Sequence, residues 1–104
     1  MICVASNATI IVMIKGFKHK GLSAFFYKGT KRGVQANHVN KLTYLLTALN
    51  NATIVEDMDQ PGWSLHALQG DLDGNWSVKV SGNWRLVFYF EDGDAYLVDY
   101  LDYH

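Results

Sequence analysis

The fold is decided by residues 74–104, which read GNWSVKVSGNWRLVFYFEDGDAYLVDYLDYH. Apolar side chains such as Trp76 and Val78 alternate with polar ones, which is the pattern of half-buried strands. The alternation resumes at Trp84, and the pair Asp92-Gly93 is a strong signal for a hairpin turn. This stretch therefore predicts antiparallel strands that follow one another directly along the chain.

Two helices are predicted ahead of this stretch. Leu22, Phe25 and Phe26 have the spacing of one helical face, and Gly29 suits the end of that helix. The second helix runs over residues 35–50, where leucines recur at intervals of three and four residues.

Two further strands complete the predicted fold. They are Met13–Phe17, within a β-branched run that begins at Thr9, and Ser64–Leu68. At 104 residues the chain has the size of one domain with a single core. We therefore predict an α+β domain over residues 13–104. In it two N-terminal helices pack on one face of a twisted antiparallel sheet of four or five strands, and the other face is left for chemistry.

Residues 1–12 are treated as a possible N-terminal extension, because Met13 is a second candidate start beside Met1. The apolar run that ends at Ile14 lacks a charged leader and is shorter than the roughly 20 residues of a membrane span. Cys3 is the only cysteine, which excludes a disulfide framework and fits a reducing compartment. We expect a cytoplasmic protein that does not associate with a membrane.

Charge is divided unevenly between the two halves of the chain. Residues 1–55 carry +7, and residues 56–104 carry −8 with histidine neutral. A basic half can bind polyphosphate even when the whole molecule is near neutral. Alternatively, the two halves pack together and neutralise each other. The sequence leaves both interpretations open.

Lys79 and Arg85 are the only two cations of the acidic half. If the connection between Val80 and Trp84 closes with three residues, they face each other on the side of the sheet opposite Trp76. There they could receive a phosphate, for which the guanidinium offers a planar fork of donors. They could equally neutralise acidic neighbours. Those considered are Asp71, Asp73 and Asp99.

The remaining candidates for chemistry are His66 and the closing residues Asp102, Tyr103 and His104. His66 alternates with leucines, which predicts a position on the polar face of a short strand. Two imidazoles with the Arg85 guanidinium suit RNA cleavage by the 2′-hydroxyl, with one base, one acid and one cation for the phosphorane. This route requires no metal and no cofactor, and the four histidines have no metal-ligand spacing.

Four motifs, in this order, resemble HigB-type toxins of the RelE/ParE superfamily. They are MIKGFKHKGL (13–22), LHALQGD (65–71), GNWSVKVSGNWRLVFYF (74–90) and DAYLVDYLDYH (94–104), and together they extend from Met13 to His104. The resemblance implies a RelE-like fold and a bacterial type II toxin that cuts mRNA in the ribosomal A site without a metal. It also implies a HigA-like helix-turn-helix antitoxin as a partner, besides the 70S ribosome and the mRNA.

The resemblance also assigns roles to single residues. Arg85 would stabilise the transition-state phosphate, while His66 and His104 would transfer protons in either order. Tyr103 would position or stack the nucleotide, and Asp102 would orient a neighbouring group. Contacts to RNA would come from basic residues. These are Lys15, Lys18, Lys20, Lys31, Arg32 and Lys79.

One position departs from the family pattern. Gln69 stands where the family typically has a lysine, in the segment L-K-G-D. The loss of that cation removes a source of charge stabilisation, which Lys79 could supply instead. Two alternatives therefore remain beside the endonuclease. One is a catalytically weak or inactive protein that binds its antitoxin or the ribosome, and the other is a gyrase-directed ParE-like toxin, which needs no terminal histidine.

Overall fold

The computed structural model describes residues 13–70 and 74–102. The elements are α1 (Lys20–Lys28), α2 (Val39–Asn51), β1 (His66–Ala67), β2 (Asn75–Ser81), β3 (Trp84–Glu91) and β4 (Asp94–Asp102). Short 3₁₀ helices lie at Ala36–His38 and Val55–Met58. The four strands form one antiparallel sheet in the order β1-β2-β3-β4. The α+β prediction is confirmed. The proposed extension, residues 1–12, and the site candidates Tyr103 and His104 lie outside the described residues.

Helix α1 is closed at both ends by its own sequence. The imidazole Nδ1 of His19 accepts the N–H of Leu22 at 2.9 Å, which satisfies one of the free amides of the first turn. At the other end Gly29 adopts φ 73° and donates its N–H to the carbonyl of Phe25. Leu22 is fully buried. The predicted helix and its glycine cap are confirmed.

Helix α2 supplies the apolar stripe on which the core is built. Its buried residues are Leu42, Leu45, Leu46 and Leu49, and they share one cluster with Val78, Leu86 and Phe88 of the sheet. Full burial of a leucine stabilises the fold by about 1.5–3 kcal/mol. The helix begins at Val39, after a 3₁₀ turn, rather than at Gln35 as predicted. Among the described residues no helix is long and apolar enough to cross a membrane.

The two hairpins set the register of the sheet. Asp92 and Gly93 adopt φ 53° and 81°, so both have the positive φ of a type I′ turn, as their sequence predicts. Between β2 and β3, Ser81 pairs with Trp84 across a two-residue turn. A bulge in β2 adds one residue, so that Lys79 still pairs with Arg85. The predicted pairing is confirmed, although it arises from a two-residue turn plus a bulge.

Two predicted strands are shorter than expected. The run Ser64–Leu68 contributes only the two residues of β1. Within the described part of Met13–Phe17 the chain makes two isolated parallel bridges to β4, Ile14 to Ala95 and Phe17 to Val98, instead of a regular strand. The interruption lies opposite an irregularity in β4.

That irregularity is a bulge at Leu97. Tyr89 pairs with Tyr96 and Val87 with Asp99, so β4 holds one residue more than β3 between these pairs. Leu97 adopts φ 55°, a left-handed conformation that is rare for a leucine, and its side chain is 54% exposed. Because of the extra residue, the alternation of β4 side chains between the two faces of the sheet shifts by one position at Leu97.

Substitutions at Leu97 test the bulge. Leu97→Val should lower the free energy of unfolding by about 1–2 kcal/mol, because a β-branched residue tolerates positive φ poorly. Leu97→Gly should be nearly neutral, since the relief of strain offsets the lost contacts and the larger entropy of the unfolded chain.

Leu101 in the same strand is the matched control, because its φ is not positive. There valine should be tolerated and glycine should destabilise. Urea unfolding measures all four variants. If the valine variant had a higher free energy of unfolding than the glycine variant at both positions, Leu97 would lie in a regular strand.

Candidate active site

The face of the sheet opposite the helices, called here the open face, collects three of the candidates. The register pairs His66 with Ser77 and Lys79 with Arg85. Side chains in such pairs have Cβ atoms about 4.5–5.5 Å apart. Ser77 and Lys79 are two residues apart on β2 and therefore project from the same face. The structure thus places an imidazole, an ammonium and a guanidinium close together.

The guanidinium of Arg85 is held by two neutral oxygens. Its Nη1 donates to the hydroxyl of Ser77 at 3.1 Å and to the carbonyl of Ser64 at 3.3 Å. Asp99 instead accepts the main-chain N–H of Tyr100 at 2.9 Å. The hydrogen bonds of Arg85 therefore do not go to Asp99, one of the acidic neighbours considered from the sequence. Asp71 and Asp73 lie outside the described residues.

Ser77 and Ser64 were missed by the sequence reasoning. A serine in an alternating strand carries no chemical signal of its own. The alternation does place Ser77 on the same face as Lys79, which is the only sign in the sequence that it lies near Arg85. The role of Ser64 comes from its carbonyl oxygen and cannot be read from its side chain.

His66 lies at the edge of this group. Its side chain is exposed, on the two-residue strand β1. The strand is continued by the N–H of Leu68, which donates to the carbonyl of Asn75 at 2.9 Å. Gln69 follows directly and is also exposed. A substrate can therefore reach the imidazole of His66 and the side chain of Gln69.

Asp102 belongs to a different face from Arg85. It pairs with Trp84, whereas the partner of Arg85 is Leu101. Trp84 packs beside Tyr100, at 4.7 Å between ring centroids, on the helix side of the sheet. Asp102 thus projects from the helix side at the end of β4, and its side chain is exposed. The structure does not bring it onto the open face.

The described residues contain no group of three or more His, Cys, Asp or Glu side chains that could hold a metal ion. What the open face offers is acid–base chemistry from His66 and charge stabilisation from Arg85 and Lys79.

The profile of the HigB-like toxins, described as RelE-like toxins of the type II toxin-antitoxin system HigB, matches residues 15–104. The chain belongs to the HigB-like toxin family. It is 46% identical over 92 residues to the endoribonuclease HigB of Proteus vulgaris, a match that covers 88% of this chain and 100% of that protein. It is 36% identical over 91 residues to toxin HigB-1 of Vibrio cholerae serotype O1, with 85% and 94% covered.

The basic residues expected to contact RNA are all exposed in this HigB-like toxin. Lys15 lines a groove on the open face with Tyr89 and Tyr96. The loop that carries Lys31 and Arg32 is pressed against α1 through two glycines, because a Cβ on Gly21 would lie 2.7 Å from the Cα of Gly33. This close approach keeps the basic loop beside the first turn of α1, where Lys20 lies.

His38 has a structural role that the sequence did not reveal. It is 4% exposed, and its Nδ1 lies 2.5 Å from the hydroxyl of Tyr100, which also accepts the N–H of Gln35 at 3.4 Å. The ring packs edge-on against Trp84. This contact ties the start of α2 to the end of β4, and so it supports the strand that leads to Asp102.

Tyr100 gives a prediction about stability and pH. Burial raises the pKa of its hydroxyl, although the hydrogen bond from Gln35 acts in the opposite direction. A raised folded-state pKa means that the neutral phenol stabilises the fold below about pH 10, and that this contribution is lost as pH rises further. Tyr100→Phe should lower the free energy of unfolding at pH 7 by about 1–3 kcal/mol, because the buried His38 loses its partner.

The same substitution should make the alkaline loss of stability less steep. Tyr44→Phe is the control, since that ring is 70% exposed and should leave both properties unchanged. Urea unfolding at several pH values between 7 and 11 measures the effect. An equal alkaline slope in Tyr100→Phe and in the unchanged protein would contradict the assignment.

Proposed function

We propose that this HigB-like toxin is a ribosome-dependent endoribonuclease that cuts mRNA in the A site and so stops translation. The observation that carries the proposal is the Arg85 guanidinium, held by neutral oxygens beside the exposed His66 on an open sheet face. It is supported by the Proteus vulgaris relative, which is named as an endoribonuclease and is matched over its full length.

The proposed reaction proceeds by attack of the 2′-hydroxyl at the scissile phosphorus. A general base removes the hydroxyl proton, the 2′ oxygen bonds to phosphorus, and the 5′ oxygen leaves with a proton from a general acid. The products are a 2′,3′-cyclic phosphate and a 5′-hydroxyl. His66 and His104 act as base and acid in either order, and Arg85 stabilises the negative charge of the phosphorane. The route needs no metal and no cofactor.

The remaining candidates serve the bound RNA. Tyr103 stacks on or positions the nucleotide, and Asp102 orients a neighbouring group at the end of β4. Lys79 adds positive charge beside Arg85. The basic residues between Lys15 and Arg32 contact the phosphates of ribosomal RNA, which makes binding weaker as salt rises.

The family supplies the expected partners. As a toxin of a type II system the chain has an antitoxin, which we propose to be a HigA-like helix-turn-helix protein. The mRNA and the 70S ribosome are the further partners, and the cytoplasm is the proposed location. The domain that acts is residues 13–104.

Two substitutions test the site. Arg85→Ala and His104→Ala should each reduce cleavage by about 10²-fold or more, because each removes a group that acts in the transition state. Primer extension on mRNA bound to purified ribosomes measures the cleavage, and the same mRNA without ribosomes should stay intact. Tyr44→Ala is an exposed control on α2 and should cleave normally.

Each result separates the alternatives. Unchanged cleavage by His104→Ala would remove the C-terminus from the site, and unchanged cleavage by Arg85→Ala would remove the guanidinium. If the intact protein does not cleave at all, it is instead a binding protein of the antitoxin or the ribosome.

A weak enzyme is the second candidate, and Gln69 favours it. Gln69 is exposed and lies two residues after Ala67 of β1. At the position of Gln69 the family typically has a lysine. Gln69→Lys should raise the single-turnover rate about tenfold, by restoring a cation near the scissile phosphate. Gln60→Lys adds the same charge in an exposed turn and should have no effect. An equal rise in both variants would mean that net charge alone is responsible. No feature of the described residues favours the gyrase-directed alternative.

A further inference from the structure

We infer that Ser77 and the main-chain carbonyl of Ser64 are positioning groups, which hold the Arg85 guanidinium so that its Nε–Nη2 edge receives the scissile phosphate. This inference rests on the proposed function, because it explains what prepares Arg85 for an RNA phosphate. Three observations carry it: which nitrogen is used, the burial of Ser77, and the backbone of Ser64.

The first observation is that both hydrogen bonds start from the same nitrogen. A guanidinium has five N–H donors, of which Nη1 carries two. The oxygens at 3.1 and 3.3 Å account for both. The Nε–H and one Nη2–H point in parallel along the other edge, and this pair matches two oxygens of one phosphate. The described residues therefore occupy the nitrogen that a bidentate phosphate contact does not need.

The second observation is the burial of Ser77. It is 1% exposed, although it projects from the open face, between His66 on β1 and Val87 on β3. A hydroxyl that is buried without a hydrogen-bond partner is unfavourable, because it loses its contacts with water. Arg85 supplies that partner. The guanidinium consequently lies over Ser77 in a defined place and is not free to move as an exposed arginine is.

The third observation is the backbone of Ser64, which adopts φ 51° without being a glycine. The preceding carbonyl, that of Trp63, accepts the N–H of Lys79 at 2.6 Å and so fixes this segment to β2. The next carbonyl, that of Ser64, then lies within reach of Arg85. Backbone strain of this kind is often found at functional sites. His66 follows two residues later, so one short segment places both the imidazole and the guanidinium.

The test is a double-mutant cycle, read by single-turnover cleavage on programmed ribosomes at several toxin concentrations. Ser77→Ala should lower the maximal rate about tenfold, because a guanidinium that is free to turn spends less time in the productive position. The half-saturating concentration should stay within about twofold, since ribosome binding does not depend on this contact. In the Arg85→Ala background the same substitution should cost nothing further.

Companion variants separate positioning from folding. Ser77→Thr keeps the hydroxyl on a strand and should restore most of the rate. Ser64→Gly keeps the carbonyl but loosens its direction, and should lower the rate about threefold without lowering the thermal midpoint. Ser81→Ala, at an exposed position of the same strand, should match the unchanged protein.

The outcomes distinguish this inference from the proposed function. The positioning role would be overturned if Ser77→Ala cleaved at the full rate, or if it lowered the rate equally with and without Arg85. Neither result would contradict the proposed endonuclease activity. Full cleavage by Arg85→Ala would remove the guanidinium from the site, and the positioning role with it. No cleavage by the intact protein would overturn the proposed function itself.

Discussion

The leucine stripe of α2 must be buried, and this requirement decides which side chains are available for chemistry. The stripe takes the face of β2 and β3 that carries Val78, Leu86 and Phe88. Since strand side chains alternate, Lys79 and Arg85 must then project from the other face. A slip of one residue would bury both cations against leucine and expose the apolar row. The burial of the core thereby fixes the register of the candidate site as well.

Strand β4 can bury its apolar side chains in the same core only because a bulge interrupts their regular alternation. Ala95 and Val98 are both fully buried, although they are three positions apart and strict alternation would put them on opposite faces. The bulge at Leu97, which has a left-handed backbone, accommodates the one extra residue of β4. Tyr96 and Asp99 can therefore both pair with open-face residues of β3. The same bulge interrupts the parallel pairing with residues 13–17. Local strain in β4 is offset by apolar burial on either side of it.

These constraints explain which predictions succeeded. Alternation and the Asp92-Gly93 turn determine β2, β3 and β4, whereas the pairing of Lys79 with Arg85 also depends on the bulge in β2 beside the two-residue turn. The bulge in β4 could not be predicted, because nothing marks Leu97 as a residue with positive φ. The sequence places Asp102 next to Tyr103 and His104 but does not reveal its face, which depends on the pairing with Trp84. The two groups that hold Arg85 could not be predicted either. One is the main-chain carbonyl of Ser64, and the other is the hydroxyl of Ser77, which no sequence motif marks.

Arg85 is held by a hydroxyl and a carbonyl, which are neutral, and this has an electrostatic consequence. The half of the chain that contains it carries −8, so carboxylates are plentiful as partners. A carboxylate about 4 Å from the guanidinium would attract it by roughly 4 kcal/mol at a partly exposed site, and it would compete with a phosphate for the same donors. A hydroxyl and a carbonyl orient the group without cancelling its charge. Arg85 can therefore be held in place before RNA arrives and still meet the phosphate with its full positive charge, whereas the exposed Lys79 contributes attraction without a fixed direction.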